Sequence, residues 1–126
     1  MPTEKYLKIL VVDDFSATRT MVINHLTNLG YSNTDEAENG FSALAMLKSA
    51  LFDLVVTDCS MSDMSGLDLL KLIRADSDLK HIPVLMVTSE DLQGNIITAI
   101  KAGLNDYIIR PFGEYTFKQK LEKIFV

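Results

Sequence analysis

Short apolar runs alternate with amphipathic stretches along the chain. The first run, Lys8-Ile-Leu-Val-Val12, is rich in β-branched residues without polar alternation, which predicts a buried strand. Ser16 to Leu29 carries Met21, Val22, Leu26 and Leu29 at helical spacing and stops at Gly30. Thr34 to Glu38 reads as a more polar strand, expected near a sheet edge. Phe41 to Leu51 follows as a helix with Leu44 and Leu47 inward. Leu54 to Thr57 is the third strand, and Leu67 to Ala75 a helix with Leu67, Leu70 and Ile73 on one face. Val84 to Val87, after Pro83, is the fourth strand, and Asp91 to Lys101 a helix closed by Gly103. Asp106 to Ile109 is the fifth. The last helix, Glu114 to Phe125, turns Phe117, Leu121, Ile124 and Phe125 inward and Lys118, Lys120 and Lys123 outward.

Strands alternating with helices predict an α/β class with a parallel sheet covered on both faces. No linker, repeat or low-complexity stretch interrupts the pattern, so residues 1–126 are expected to form one domain with no output domain. At 48% hydrophobic and 23% charged, the chain has enough apolar material for a core and does not read as disordered. A formal net charge of -5 leans against nonspecific nucleic-acid binding, which needs cations to displace phosphate counterions. Cys59 has no intrachain partner for a disulfide, so no oxidising compartment is required. The N-terminal apolar run is short and ends in two aspartates, unlike a secretory leader. No run approaches the roughly 18–20 residues that span a bilayer. A cytoplasmic monomer without membrane association is expected.

In open α/β sheets, functional groups gather beyond the carboxyl ends of the strands. Here those ends carry Asp13-Asp14, Asp58, Thr88-Ser89 and Arg110-Pro111. Each has a plainer explanation taken singly. Asp14 or Thr88 would serve as a helix cap, the latter with Asp91 in a capping-box-like pattern. Asp13 and Asp58 would serve as turn residues, and Arg110 as a surface cation. All of these holding at one edge is improbable. Three carboxylates in one cleft repel and raise at least one pKa unless a cation joins them. Mg²⁺ answers that need, taking oxygen ligands and commonly a phosphate beside a few carboxylates. Asp58 then becomes a nucleophile toward phosphorus, with Thr88 and Arg110 donating to the phosphoryl oxygens.

The stretches VVDDFSATR, VVTDCSMSDMSGLDLLKLIR, IPVLMVTSE and AGLNDYIIRPF together resemble response-regulator receiver domains, most closely the free-standing chemotaxis regulators, over essentially the whole chain. That resemblance implies a (βα)5 flavodoxin-like three-layer sandwich with a parallel five-stranded sheet of order 2-1-3-4-5, the order known for regulators of that kind. It implies Asp58 as phosphoacceptor for a histidine kinase. It implies Mg²⁺ held by Asp13, Asp14, Asp58 and the Ser60 backbone carbonyl, Thr88 as the switch hydroxyl, and Tyr107 as an aromatic switch that turns inward. Ile96, Lys101, Tyr107, Lys120 and Lys123 would line the face that binds a downstream target, such as a flagellar motor switch. Without the resemblance, Tyr107 is an edge-strand side chain, and Lys120 and Lys123 are a solvated helix face.

Three departures qualify the expectation. Arg110 stands where the family has lysine, replacing a compact ammonium with a planar fork. Ser62 replaces a usual proline, which suggests a more mobile loop, and Gly94 costs roughly 1 kcal/mol relative to Ala in the fourth helix. The resemblance also implies that the residues at Ser60 and Glu90 influence how fast water removes the phosphoryl group. Met61 and Met64 are expected to pack, and Gly66 to adopt a conformation other residues resist. A signalling switch, not a turnover enzyme, is the expected function. A phosphate sink, or a receiver-like adaptor altered by Arg110, is the alternative. An aspartyl-nucleophile phosphatase typically has a second aspartate where this chain has Ser60. A flavin binder is disfavoured because the DDFSATR turn would repel a phosphate.

Overall fold

The computed structural model describes residues 6–89 and 93–125, the side chains of residues 93–95 excepted. The elements run β1 (Ile9–Val12), α1 (Ser16–Asn28), β2 (Thr34–Ala37), α2 (Gly40–Ser49), β3 (Leu54–Asp58), α3 (Gly66–Ala75), β4 (Val84–Ser89), α4 (Gln93–Lys101), β5 (Asp106–Arg110) and α5 (Glu114–Ile124). The strands form one parallel sheet in the order β2-β1-β3-β4-β5. The polar second strand lies at an edge, as its composition predicts. Glu90 and Asp91 lie outside the described residues, so the expected start of the fourth helix at Asp91 falls there as well.

Three strands run further than the apolar pattern indicates. Asp58 pairs with Val87, Thr88 with Ile109, and Ser89 with Arg110. Parallel hydrogen bonding therefore carries the ladder through the polar residues, which stand within the last rungs and not in loops beyond them.

Strand pleating sends alternate residues into two cores. Ile9, Val11, Leu54, Val56, Leu85, Val87 and Ile108 pack with Val22 and Leu26 of α1 and Phe117 and Leu121 of α5. Leu10, Val12, Val55, Val84 and Met86 pack with residues of α2, α3 and α4, including Ala43, Leu47, Leu69, Leu70, Ile73 and Ala99. The helices sit where their sequences direct them. Asn39 caps α2 by accepting the Ser42 N–H at 2.8 Å, and Ser65 caps α3 by accepting the Asp68 N–H at 3.1 Å. Gly30 ends α1 at φ 99°, where a side chain would be strained.

At the amino-terminal edge of the sheet, Arg74 closes the structure. Its guanidinium donates to the carbonyls of Gly103 (3.0 Å), Lys80 (3.1 Å) and Ile82 (2.7 Å) and to Asn105 Oδ1 (2.8 Å). Asn105 Oδ1 also accepts the Val84 N–H at 2.9 Å, so one side chain ties the end of α3 to the entries of β4 and β5. Burial lowers the Arg74 pKa, yet the planar fork meets carbonyls on several sides. Arg74→Ala should lower unfolding free energy in urea by about 2 kcal/mol, since charge-assisted hydrogen bonds contribute roughly 1.5–3 kcal/mol each and do not add. An unchanged midpoint would mean the four contacts hold nothing together.

Candidate functional site

The site lies at the carboxyl-terminal edge. Asp13 and Asp14 follow β1, Asp58 ends β3, Thr88 stands in the last rungs of β4, and Arg110 ends β5. One oxygen from each of Asp13, Asp14 and Asp58 lies within 4.8 Å of the others. Asp13, Asp58 and Thr88 are buried.

Local contacts fix each carboxylate. Asp13 Oδ1 accepts the Phe15 N–H at 2.9 Å, a turn that opens α1. The Asp13 carbonyl accepts Arg19 Nη1 at 2.7 Å, and Arg19 Nε reaches Glu36 Oε1 at 2.8 Å. Asp14 Oδ2 accepts the Ser62 N–H at 3.1 Å, while Asp14 Oδ1 is buried with no hydrogen-bond partner. Arg110 Nη2 donates to Asp58 Oδ1 at 3.1 Å, the cationic contact to the acid that ends β3.

Burial is the main cause that raises the Asp58 pKa to about 6. The neighbouring Asp13 charge adds to it, and Arg110 pulls the other way. Asp13 is raised too, chiefly by burial, against the lowering effects of the Phe15 amide and Arg110. A single guanidinium thus offsets part of a crowded negative charge. Hard oxygen donors, an orphaned buried carboxylate oxygen and excess negative charge together fit a hard divalent cation such as Mg²⁺.

The structure corrects several expectations around this site. Ser62 has an amide donor that proline lacks, and that amide ties the loop after Asp58 to Asp14. Gly66 has no left-handed backbone; glycine is needed because a Cβ there would collide with the Asp58 carbonyl oxygen. Met64 packs against Gly40, and Met61 lies against the α2–α3–α4 core, as packing residues. Ile96, expected on the partner face, is only 7% exposed, because its position in α4 turns it into the core; Ile97 and Ile100 are exposed in its place, with Ile109 on β5. Lys101 is exposed. Lys120 is not simply outward. Its ammonium lies 3.1 Å from Asp106 Oδ1 and 5.2 Å from the centre of the half-buried Tyr107 ring, whereas Lys123, 3.8 Å from Asp106 Oδ2, is open to solvent.

Sequence reasoning missed Arg19, which nothing in its surroundings marks, and the contact of Cys59 Sγ with Thr88 Oγ1 at 3.1 Å. Only the adjacency of Cys59 to Asp58 hinted at the latter. Ser60 follows in the exposed loop, two residues beyond Asp58.

Residues 9–122 match the family described as the response regulator receiver domain. The chain is 56% identical over 121 residues to chemotaxis protein CheY-3 of Vibrio cholerae, covering 96% of this chain and 93% of that protein. The solved structure of Vibrio cholerae chemotaxis protein CheY4 matches with a TM-score of 0.86 at 31% identity, over 94% of this chain and 98% of the other. The receiver domain of a Pseudomonas aeruginosa sensor histidine kinase, solved with a magnesium ion coordinated in its active site cleft, matches with a TM-score of 0.84 at 26% identity, over 94% and 96% of the two chains.

The raised Asp58 pKa carries a sign. Its carboxyl holds a proton more tightly in the folded chain than in the unfolded one, so folding stability falls as pH rises from about 3.8 to about 6 and stays low above. In metal-free buffer, Asp58→Asn should flatten most of that slope and be more stable near neutrality by up to about 3 kcal/mol, the two proteins converging near pH 4. Parallel urea midpoints across the range would show that this carboxylate carries no electrostatic strain.

Proposed function

Because the chain belongs to the response-regulator receiver family, we propose that it is a phosphorylation-dependent signalling switch, with Asp58 accepting a phosphoryl group from a histidine kinase. The observation that carries this reading is the placement of Asp58: buried at a ladder end, beside two further aspartates, with Arg110 on one oxygen. Asp13, Asp14, Asp58 and the Ser60 carbonyl would hold Mg²⁺. When bound, the ion neutralises carboxylates and phosphoryl oxygens together.

In the transfer, an Asp58 oxygen attacks the phosphorus of a phosphohistidine. A phosphorus–oxygen bond forms, the phosphorus–nitrogen bond breaks, and the imidazole nitrogen leaves with the electron pair. Arg110 already lies on the attacked carboxyl and presents further N–H donors to the incoming oxygens. Thr88 is the switch hydroxyl. Tyr107, held between the α3–α4 core and the Lys120 ammonium, is the side chain whose position it governs. The target surface is the α4–β5–α5 face, where Ile97, Ile100 and Ile109 are exposed beside Lys101 and Lys123. Similarity to chemotaxis proteins favours a chemotaxis or flagellar-motility target. In this reading residues 1–126 act as one receiver domain, monomeric in the cytoplasm, that turns over no substrate. Among the described residues no helix is long and apolar enough to cross a membrane.

One observation favours a second reading. Arg110 is anchored on Asp58 where the family has lysine, which suits a phosphate sink or an adaptor with altered switching.

Intact mass after incubation with Mg²⁺ and acetyl phosphate tests the first step. A single phosphoryl adduct is expected on the wild type, none on Asp58→Asn, and none with EDTA present. Absence of the adduct on the wild type would sink the switch and leave the adaptor. Arg110→Ala should slow adduct formation by about tenfold or more, the scale of removing one charged donor from a transferring phosphoryl group, while Arg110→Lys retains most of the rate. Equal rates in all three proteins would remove Arg110 from the chemistry.

A further inference from the structure

The pleat that divides the core also divides the site. Asp13, Asp58 and Arg110 continue the alternation of residues packed under α1 and α5, while Thr88 and Cys59 continue that of residues packed under α2, α3 and α4. Cys59 lies partly buried against this second core. Its backbone is pinned from both directions: the N–H donates to the Val87 carbonyl at 3.1 Å, and the carbonyl accepts the Gly66 N–H at 3.0 Å. The sulfur therefore has a fixed origin, and it lies 3.1 Å from Thr88 Oγ1 and 3.7 Å from Ser60 Oγ.

The Thr88 hydroxyl has one proton and can accept from others. It lies 3.2 Å from the Ser89 carbonyl as donor. Every group is then satisfied if the Cys59 thiol donates to the Thr88 oxygen and Thr88 donates to Ser89. Thr88 is 1% exposed, so water does not compete for it. Both bonds keep the hydroxyl on the α3–α4 side of the sheet, away from the side on which Asp58 continues the pleat.

We infer that Cys59 is a positioning residue for the switch: its thiol holds the Thr88 hydroxyl in the resting place that a phosphoryl group on Asp58 must draw it from. This rests on the reading of Asp58 as phosphoacceptor and Thr88 as switch hydroxyl. A thiol is a weak donor, so the hold is modest, a factor of about three to ten in the resting equilibrium. Such a hold sets the threshold of the switch and does not block it. Serine at the same position would donate from a shorter bond, and alanine would not donate at all.

Two readouts test the lock. The first is the Thr88 side-chain rotamer distribution, from three-bond couplings to its methyl group, in metal-free, unphosphorylated protein. The wild type should hold one rotamer, Cys59→Ala should average between rotamers, and Cys59→Ser should lie nearer the wild type. The second is the rate of adduct formation with acetyl phosphate and Mg²⁺. Cys59→Ala should change it three- to tenfold in the wild-type background and leave it unchanged in a Thr88→Ala background. An identical Thr88 rotamer distribution in wild type and Cys59→Ala, or a rate effect that persists without the threonine hydroxyl, would overturn the inference. Should no protein take up a phosphoryl group, the proposed function fails by itself, and the coupling measurement still decides whether the thiol holds Thr88.

Discussion

Crowded negative charge at one rim of a parallel sheet is the constraint on which the rest of this structure depends. Parallel pairing leaves no choice about direction: every strand delivers its carboxyl end to the same edge. Asp13, Asp14 and Asp58 arrive there together, with one carboxylate oxygen left without a partner and burial pressing the Asp58 pKa upward. The fold tolerates this because the two cores beneath are continuous and apolar, each buried Leu, Ile or Phe contributing about 1.5–3 kcal/mol. Arg110 supplies part of the missing positive charge from the end of β5. What remains unbalanced is the capacity to take up a cation and an anion, which is the chemistry of the proposed function.

On the proposed function, the same rim separates acceptance from response. Asp13, Asp58 and Arg110 are in phase with the α1–α5 core, whereas Thr88, Cys59 and Tyr107 associate with the opposite one. One route between Asp58 and the exposed isoleucines of α4 and β5 runs past the side chains at the end of β4 and along β5. Lys120 lies at the far end of that route, bound to Asp106 and placed against the Tyr107 ring. Its ammonium is therefore part of the packing around the aromatic side chain and not only a surface charge.

Much of this was legible in the residues alone. Unbroken apolar runs at Ile9–Val12 and Leu54–Val56 marked central strands, and Thr34–Ala37 was polar enough to mark an edge. The convergence of Asp13, Asp14, Asp58, Thr88 and Arg110 followed from strand direction. Details that depend on approach and not on periodicity were hidden. Gly66 was expected to adopt a backbone other residues resist, but its reason is the Asp58 carbonyl pressed against it. The tie from Ser62 to Asp14 was hidden too, because a backbone N–H is invisible in a residue name until its acceptor is known. Ile96, Ile97 and Ile100 are chemically alike, and only the helix phase tells which is buried. Arg74 and Arg19 direct their donors to carbonyls outside their own helices, which no local pattern announces.

The Arg74 clasp gives the molecule a mechanical polarity. At the amino-terminal rim, Arg74 and Asn105 fasten α3, β4 and β5 to one another, and Lys8 and Asp53 exchange hydrogen bonds of 2.8 and 2.7 Å between the entries of β1 and β3. The opposite rim keeps an unpartnered carboxylate oxygen and a weakly tethered hydroxyl. The two rims of one sheet thus divide the labour: fastening contacts gather at the amino-terminal rim, and unmet polar groups gather at the other.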